Sequence, residues 1–383
     1  MHAYPALIRP YLFRLDPEWT HDRAIEAGRL LGSIPATRSM LSALYAFRDP
    51  RLEIEVCGIK FPNPIGLAAG FDKSGRAINA LAAVGFGHLE IGSVSADPSE
   101  GNPRPRLFRL PRDQAIVVNY GLQNDGADVI AARLAYRSLP IPLGINIVKT
   151  NRGINAPAES TDEILSDYAR SVGKLKDAGD YICLNLSCPN TEMGRDFFSD
   201  HLNIVRLMTV LSQSEIRCPV FLKVSPLGGA RAIEELLTAV EGVNCVSGFV
   251  FNLPPGKPDW LLTPRRIVET MPGAVAGKPV ERLINRCIRE MYRRMDRNRY
   301  RIIGVGGVFS AEDAYLKIRL GASLVQLLTS MVYEGPGIVK RINRELCELL
   351  ERDGFANVAQ AIGMGNKSWL RQSSDPNETL PFM

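Results

Sequence analysis

The chain has 383 residues, 45% of them hydrophobic, with 33 glycines and 26 prolines, enough to bury one large core and carry an appendage. A net charge of +5 without a Lys/Arg run or aromatic–basic interleaving argues against nucleic acid as a partner. Seven scattered cysteines (57, 183, 188, 218, 245, 287 and 347), no Cys-x-x-Cys pair and only four histidines argue for reduced thiols in the cytosol and against a metal site.

No secretory leader is expected from Met1-His-Ala-Tyr-Pro, and no apolar run reaches the roughly 18 residues that span a bilayer. Two short helices are predicted at Ala6–Leu15 and Trp19–Leu31, the second opened by Asp16-Pro-Glu, where Asp caps and Pro suits the first turn. Tyr4, Leu7, Ile8, Tyr11, Leu12, Leu15, Trp19, Ile25, Leu30 and Leu31 give them an apolar side. That side either meets a membrane interface or apolar ligand, or packs on the main fold.

From there, short Ile/Val/Leu-rich runs recur near 64–69, 87–94, 142–148, 180–187, 219–224, 247–252, 301–305 and 322–327. Amphipathic helix-length segments separate them, at 75–84, 125–138, 161–178, 202–214, 232–241, 280–297 and 311–320, with a last one near 336–352. Eight strand–helix units predict an α/β fold, a (β/α)8 TIM barrel behind an N-terminal two-helix extension. The doubly wound alternative lacks its Gly-x-Gly-x-x-Gly after the first strand. From residue 363 on, the polar, Pro/Asn/Ser-rich sequence predicts a loose tail.

Barrel chemistry sits at the carboxyl ends of strands, and the motifs fall there. After strand 1 come Ala68, Ala69, Gly70 and then Lys73, small residues that admit a planar ring and a lysine that either pairs with a ligand or is a solvated rim charge. Asn185-Leu-Ser-Cys-Pro-Asn-Thr191 sets a thiol between two amides, able to hold a flat polar substrate while Cys188 removes a proton. Taken alone it reads more readily as a buried cysteine in a Pro-Asn turn, and the neighbouring motifs reverse that balance. Lys223 interrupts an apolar strand, where an ammonium needs an anionic or electron-rich partner. Strand 7 ends in Gly304-Val-Gly-Gly307 ahead of the strand running to Thr329, the place where barrels bind phosphate.

These residues resemble the class 2, quinone-dependent dihydroorotate dehydrogenase family. The blocks that carry the resemblance are Leu15-Asp-Pro-Glu18 with His21, Asn63–Lys73, Gly85-Phe-Gly87 with Glu90–Val94, and Glu100–Arg106 with Phe108–Leu110. Asn185–Thr191, Gly277-Lys-Pro279, Ile302–Gly307 and Gly321–Gln326 follow in order. The resemblance implies FMN held by Ala68, Ala69, Gly70, Lys73, Ser93, Asn146, Asn185 and Lys223, its phosphate on Gly277, Gly306, Gly307, Leu328 and Thr329. It implies dihydroorotate held by Lys73, Tyr120, Asn185, Asn190 and Asn252, with Cys188 taking the ring proton as hydride passes to the flavin. A membrane quinone would then reoxidise the flavin from the helical side, near Arg109. On this reading residues 1–48 are a membrane- and quinone-associated extension, 49–362 the FMN-binding barrel and 363–383 a tail. The protein is then expected in the cytoplasm, peripheral on the inner (cell) membrane, and active in pyrimidine biosynthesis.

Several positions depart from the family pattern. Cys188 stands where class 2 enzymes have serine, and a thiol, with an ordinary pKa of about 8.5, is a competent base there. Val118 replaces a substrate-side asparagine, and Asn119, one residue on, is expected to face the other way in extended backbone. Leu122, Leu253 and Ala276 replace phenylalanine, threonine and serine. Each lost hydrogen bond costs on the order of 1–3 kcal/mol, so a paralogue oxidising a less polar ring with the same flavin chemistry is a second reading. A flavin-free aldolase using Lys223 as a Schiff base, or a silent membrane scaffold, is a remote third.

Overall fold

The computed structural model describes residues 4–153, 155–187 and 197–366. Two short strands, β1 (Ile54–Val56) and β2 (Ile59–Phe61), pair as an antiparallel hairpin ahead of the main fold. Then come β3 (Ile65–Leu67), β4 (His88–Val94), β5 (Leu107–Leu110), β6 (Ala115–Val118), β7 (Leu143–Ile147), β8 (Tyr181–Asn185), β9 (Val220–Val224), β10 (Val246–Phe251), β11 (Ala274–Gly277), β12 (Arg301–Val305) and β13 (Leu324–Leu327). Eight of them close a parallel barrel in the order β10-β12-β13-β3-β4-β7-β8-β9. Each barrel strand ends within two residues of its predicted run.

The barrel strands form because their residues are apolar on both faces, as a strand wrapped by helices requires. All five residues of β7, β8 and β9 are buried. Two of the helices that wrap them have their starts fixed by their own caps. Ser160 and Ser310 each close a reciprocal capping box, with Glu163 and Asp313, and so fix the starts of Thr161–Leu175 and Ala311–Leu320.

Two insertions place a lid over the carboxyl end of the barrel. β5, β6 and β11 form an antiparallel sheet in the order β11-β6-β5, with Ala276 opposite Ile116 and Arg109 opposite Ile116. Alternation then sends Leu107, Arg109, Ile116 and Val118 to the face that overlooks the barrel mouth.

The amino-terminal segment is helical, as expected, but with one more helix than the sequence suggested. A wide turn at Tyr4–Ile8 runs into α1 (Arg9–Leu12), followed by α2 (Pro17–Ser33) and α3 (Pro35–Tyr45). Asp16 caps α2, its side chain accepting from Trp19 N at 2.8 Å. Gly32 lets α2 lie against α4 (Ile78–Ala83): a β-carbon there would stand 2.8 Å from the Ala80 amide nitrogen. The apolar side does both things open to it. Ile25 packs on the barrel core, while Leu7, Tyr11, Trp19, Leu30, Ile34, Met40 and Leu44 stay about half exposed or more. No described helix is long and apolar enough to cross a membrane. Of the expected tail, Gly363 and Gly365 bond to Ile318 and Arg319 carbonyls, and 367–383 lie outside the described residues.

Candidate active site

Between the barrel mouth, the small sheet and α2 lies a cavity of about 400 Å³. Ala68, Ala69 and Gly70 after β3, Ser93 in β4, Asn185 at the end of β8 and Lys223 in β9 line its floor. Asn252 after β10 lies beside Asn185, its Nδ2 donating to Asn185 Oδ1 at 2.9 Å, while Gly277, Gly306, Gly307, Leu328 and Thr329 line one end and Lys73 and Tyr120 the other. Arg109 lies on the side of the helical extension. Asn146 is fully buried one layer below: it receives the Ser93 hydroxyl on Oδ1 and donates Nδ2 to Glu90 at 2.9 Å. Cys188 and Asn190 lie outside the described residues. The residue before Cys188, Ser187, is buried, and its carbonyl accepts from Asn252 Nδ2 at 2.9 Å.

Two ammonium groups give the cavity its charge. Lys223 is 7% exposed, and among the described residues its Nζ forms neither an ion pair nor a hydrogen bond. Lys73 Nζ stands 3.7 Å above the Tyr120 ring and 3.4 Å from His21 Nε2, with no carboxylate paired to it among the described residues. Burial pulls the Lys73 ammonium down to about 8, with Asp22 and Glu18 opposing the fall. Burial, and then the Lys73 charge, push His21 down to about 3, so its ring is neutral and accepts from the ammonium. The Tyr120 hydroxyl is buried without a partner among the described residues, and burial raises its pKa. An ammonium in a mostly apolar cavity with no counter-charge paired to it is costly, and an anionic, electron-rich ligand is what removes that cost.

The far end is built for close approach of backbone to ligand. Gly277 and Gly307 have φ of +111° and +74°, and a β-carbon at either would stand 2.4 Å from Gln114 O or Glu281 Cβ. Bare backbone at the end of the seventh barrel strand suits a phosphate. Small residues at 68–70, a glycine-lined end and two ammoniums therefore fit a long ligand with a flat ring and an anionic tail.

The one-residue offset at 118–119 falls as expected. Val118 lines the cavity, whereas Asn119 turns to the other face and accepts from Asn102 Nδ2 at 3.1 Å. Leu122, Leu253 and Ala276 also line the cavity. Sequence reasoning gave no role to Glu18 or Arg106. Glu18, from the first turn of α2, accepts from Arg106 Nε at 3.0 Å and Nη2 at 2.9 Å, both residues being buried. Arg106 also donates to the Gln123 side chain at 2.8 Å and lies over the Tyr120 ring. The signal available was the pairing of an acidic first turn with the Arg-Pro-Arg block at 104–106, 86 or more residues away. Arg109 donates to the carbonyls of Leu12 and Leu15, at 3.1 and 2.9 Å, so it fastens the extension to β5 as well as lining the cavity.

A family model described as dihydroorotate dehydrogenase matches residues 51–350. A protein from Natronomonas pharaonis named dihydroorotate dehydrogenase (quinone) is 40% identical over 362 residues, 94% of this chain and 98% of its own length. One of the same name from Roseiflexus castenholzii is 40% identical over 363 residues, covering 94% and 96%. The crystal structure of DHODH from Eimeria tenella in complex with ferulenol superposes with a TM-score of 0.79 at 28% identity, over 91% of this chain and 95% of that one.

Proposed function

The chain belongs to the dihydroorotate dehydrogenase family, and from that membership we propose that it oxidises (S)-dihydroorotate to orotate in pyrimidine biosynthesis, with FMN as cofactor and a quinone as electron acceptor. The enzyme is a flavin-dependent oxidoreductase acting on a CH–CH bond. The observation that carries the reading is the pair of ammoniums, Lys73 and Lys223, that line the cavity without paired counter-charges among the described residues. The relatives named above supply no support for a different substrate.

Bound in this cavity, FMN would supply the hydride acceptor for the substrate and the route for electrons to the quinone. The fit rests on the bare backbone at Gly277, Gly306 and Gly307 for the phosphate and on Ala68–Gly70 for the ring, with Lys223 as the cation nearest the floor. Lys223 stabilises negative charge at that floor, a fixed charge that needs no reorganisation. The Lys73 ammonium binds the substrate carboxylate, and Asn185 and Asn252 orient the ring through their amides. Cys188, next in sequence to Ser187, takes the ring proton on Sγ. Thr20, His21 and Ala24 of α2 cover the cavity from the side away from the barrel and keep water from it. The exposed apolar face of the helices supports peripheral attachment to a membrane, where Arg109 stands on the quinone side.

The test is turnover by purified protein. Orotate is expected to appear when dihydroorotate and a quinone are both present, and Cys188→Ala is expected to lose at least a hundredfold in rate. Full activity in Cys188→Ala would remove the thiol from the reaction.

A further inference from the structure

Barrel interiors of this kind are normally filled by branched apolar side chains. Here a carboxylate, Glu90, sits 1% exposed inside the barrel beneath the cavity. Its Oε1 accepts from Asn146 Nδ2 at 2.9 Å, and its Oε2 from Gln326 Nε2 at 2.9 Å and the Tyr181 hydroxyl at 3.2 Å. The room for this cluster is made by missing side chains: a β-carbon at Gly144 would stand 2.1 Å from the Tyr181 ring. No cation is paired with Glu90 among the described residues.

We propose that Glu90 is a positioning residue that fixes the direction of the Asn146–Ser93–Asn185 hydrogen-bond line, and with it the face that Ser93 turns to the bound flavin. The inference rests on the FMN reading above. Both Glu90 oxygens accept from donors, so Asn146 turns its nitrogen down to Glu90 and its oxygen up. That oxygen takes the single Ser93 proton. The Ser93 oxygen then accepts from Asn185 Nδ2 at 3.1 Å, and Asn185 Oδ1 accepts from Asn252 Nδ2 at 2.9 Å. Every bond in the line points toward Glu90, so each polarises the next. At Asn252 the Leu253 amide and the Ser187 carbonyl enforce the same direction independently. At Asn146 it is Glu90 that sets the direction, and through Asn146 where the Ser93 proton goes. The consequence is that Ser93 offers the cavity its remaining lone pair rather than a proton, above a buried carboxylate. Both features oppose the added electron density of flavin reduction and hold its potential down.

Glu90→Gln removes the charge at constant shape and lets Asn146 turn over, which frees the Ser93 proton for the cavity. The midpoint potential of the bound flavin, read by photoreduction against a reference dye, is expected to shift positive in this variant and to return toward the unaltered value in Glu90→Asp. A loss of stability alone would lower the unfolding temperature without moving that potential. Asn146→Leu cuts the line one link higher and leaves Glu90 bound to Gln326 and Tyr181, so a smaller positive shift is expected there. It decides the matter if Glu90→Gln does not fold. An unchanged or more negative potential in the flavin-loaded variants overturns the proposal. Because the dye titration uses no dihydroorotate, a failure of that substrate leaves this test standing, while unaltered protein that binds no FMN overturns both.

Discussion

Lys73 is the residue whose chemistry is most exposed to experiment. Burial sets its ammonium at about 8, so the charge proposed to receive an anionic substrate is present at neutral pH and is lost as pH rises through that value. Orotate affinity, measured by perturbation of the flavin spectrum, is expected to be flat below pH 8 and to fall by about tenfold per unit well above it. Lys73→Met is expected to bind orotate weakly at every pH, and an alkaline fall that persists in it would assign the titration elsewhere. Val118 gives the opposite kind of test. It faces the cavity with nothing to donate while Asn119 is spent on Asn102, so Val118→Asn is expected to lower the KM for dihydroorotate roughly three- to tenfold, the worth of one net hydrogen bond. Lys223 and Asn185 were legible in the sequence because a polar side chain stands out in an apolar strand. Glu90 was not, because its burial makes sense only with Asn146, Tyr181 and Gln326, from 56 to 236 positions away.

At the scale of elements, α2 is held to the barrel by a clasp rather than by apolar contact alone. Glu18 receives two nitrogens of buried Arg106 and one of Arg104, and removing it strands the Arg106 charge, at a cost of about 3–5 kcal/mol. Glu18→Ala is therefore expected to speed amide hydrogen exchange across Pro17–Ser33 while exchange in the barrel strands is unchanged; slow exchange in that helix would mean the Gly32 contact suffices. The helix itself was readable from its Asp16-Pro17 start. The third helix, Pro35–Tyr45, was not expected, and its first turn has no side-chain cap to announce it. The small sheet was equally hidden: β6 is four residues long, and its partner β11 lies more than 150 positions on. A short strand has no period of its own to show, and only pairing at a distance defines it.

The whole molecule is a barrel with one apolar flank. The barrel was legible because eight doubly buried strands leave eight apolar runs, with amphipathic helix-length segments between them. The use of the flank was not, since an apolar side reads the same in the sequence whether it meets protein or lipid. With Leu30 and Met40 each about half exposed, Leu30→Asp with Met40→Asp is expected to leave the fold intact and to release the protein from anionic lipid vesicles in a sedimentation assay. Undiminished binding would move the contact away from α2 and α3.

The charges, the glycine-lined end and the covering helix converge on one claim, that this cavity brings dihydroorotate and FMN together. Anaerobic addition of dihydroorotate to the purified, FMN-loaded protein tests it most directly. The yellow absorbance is expected to bleach and to return when a quinone is added; colour that persists under excess dihydroorotate would contradict it.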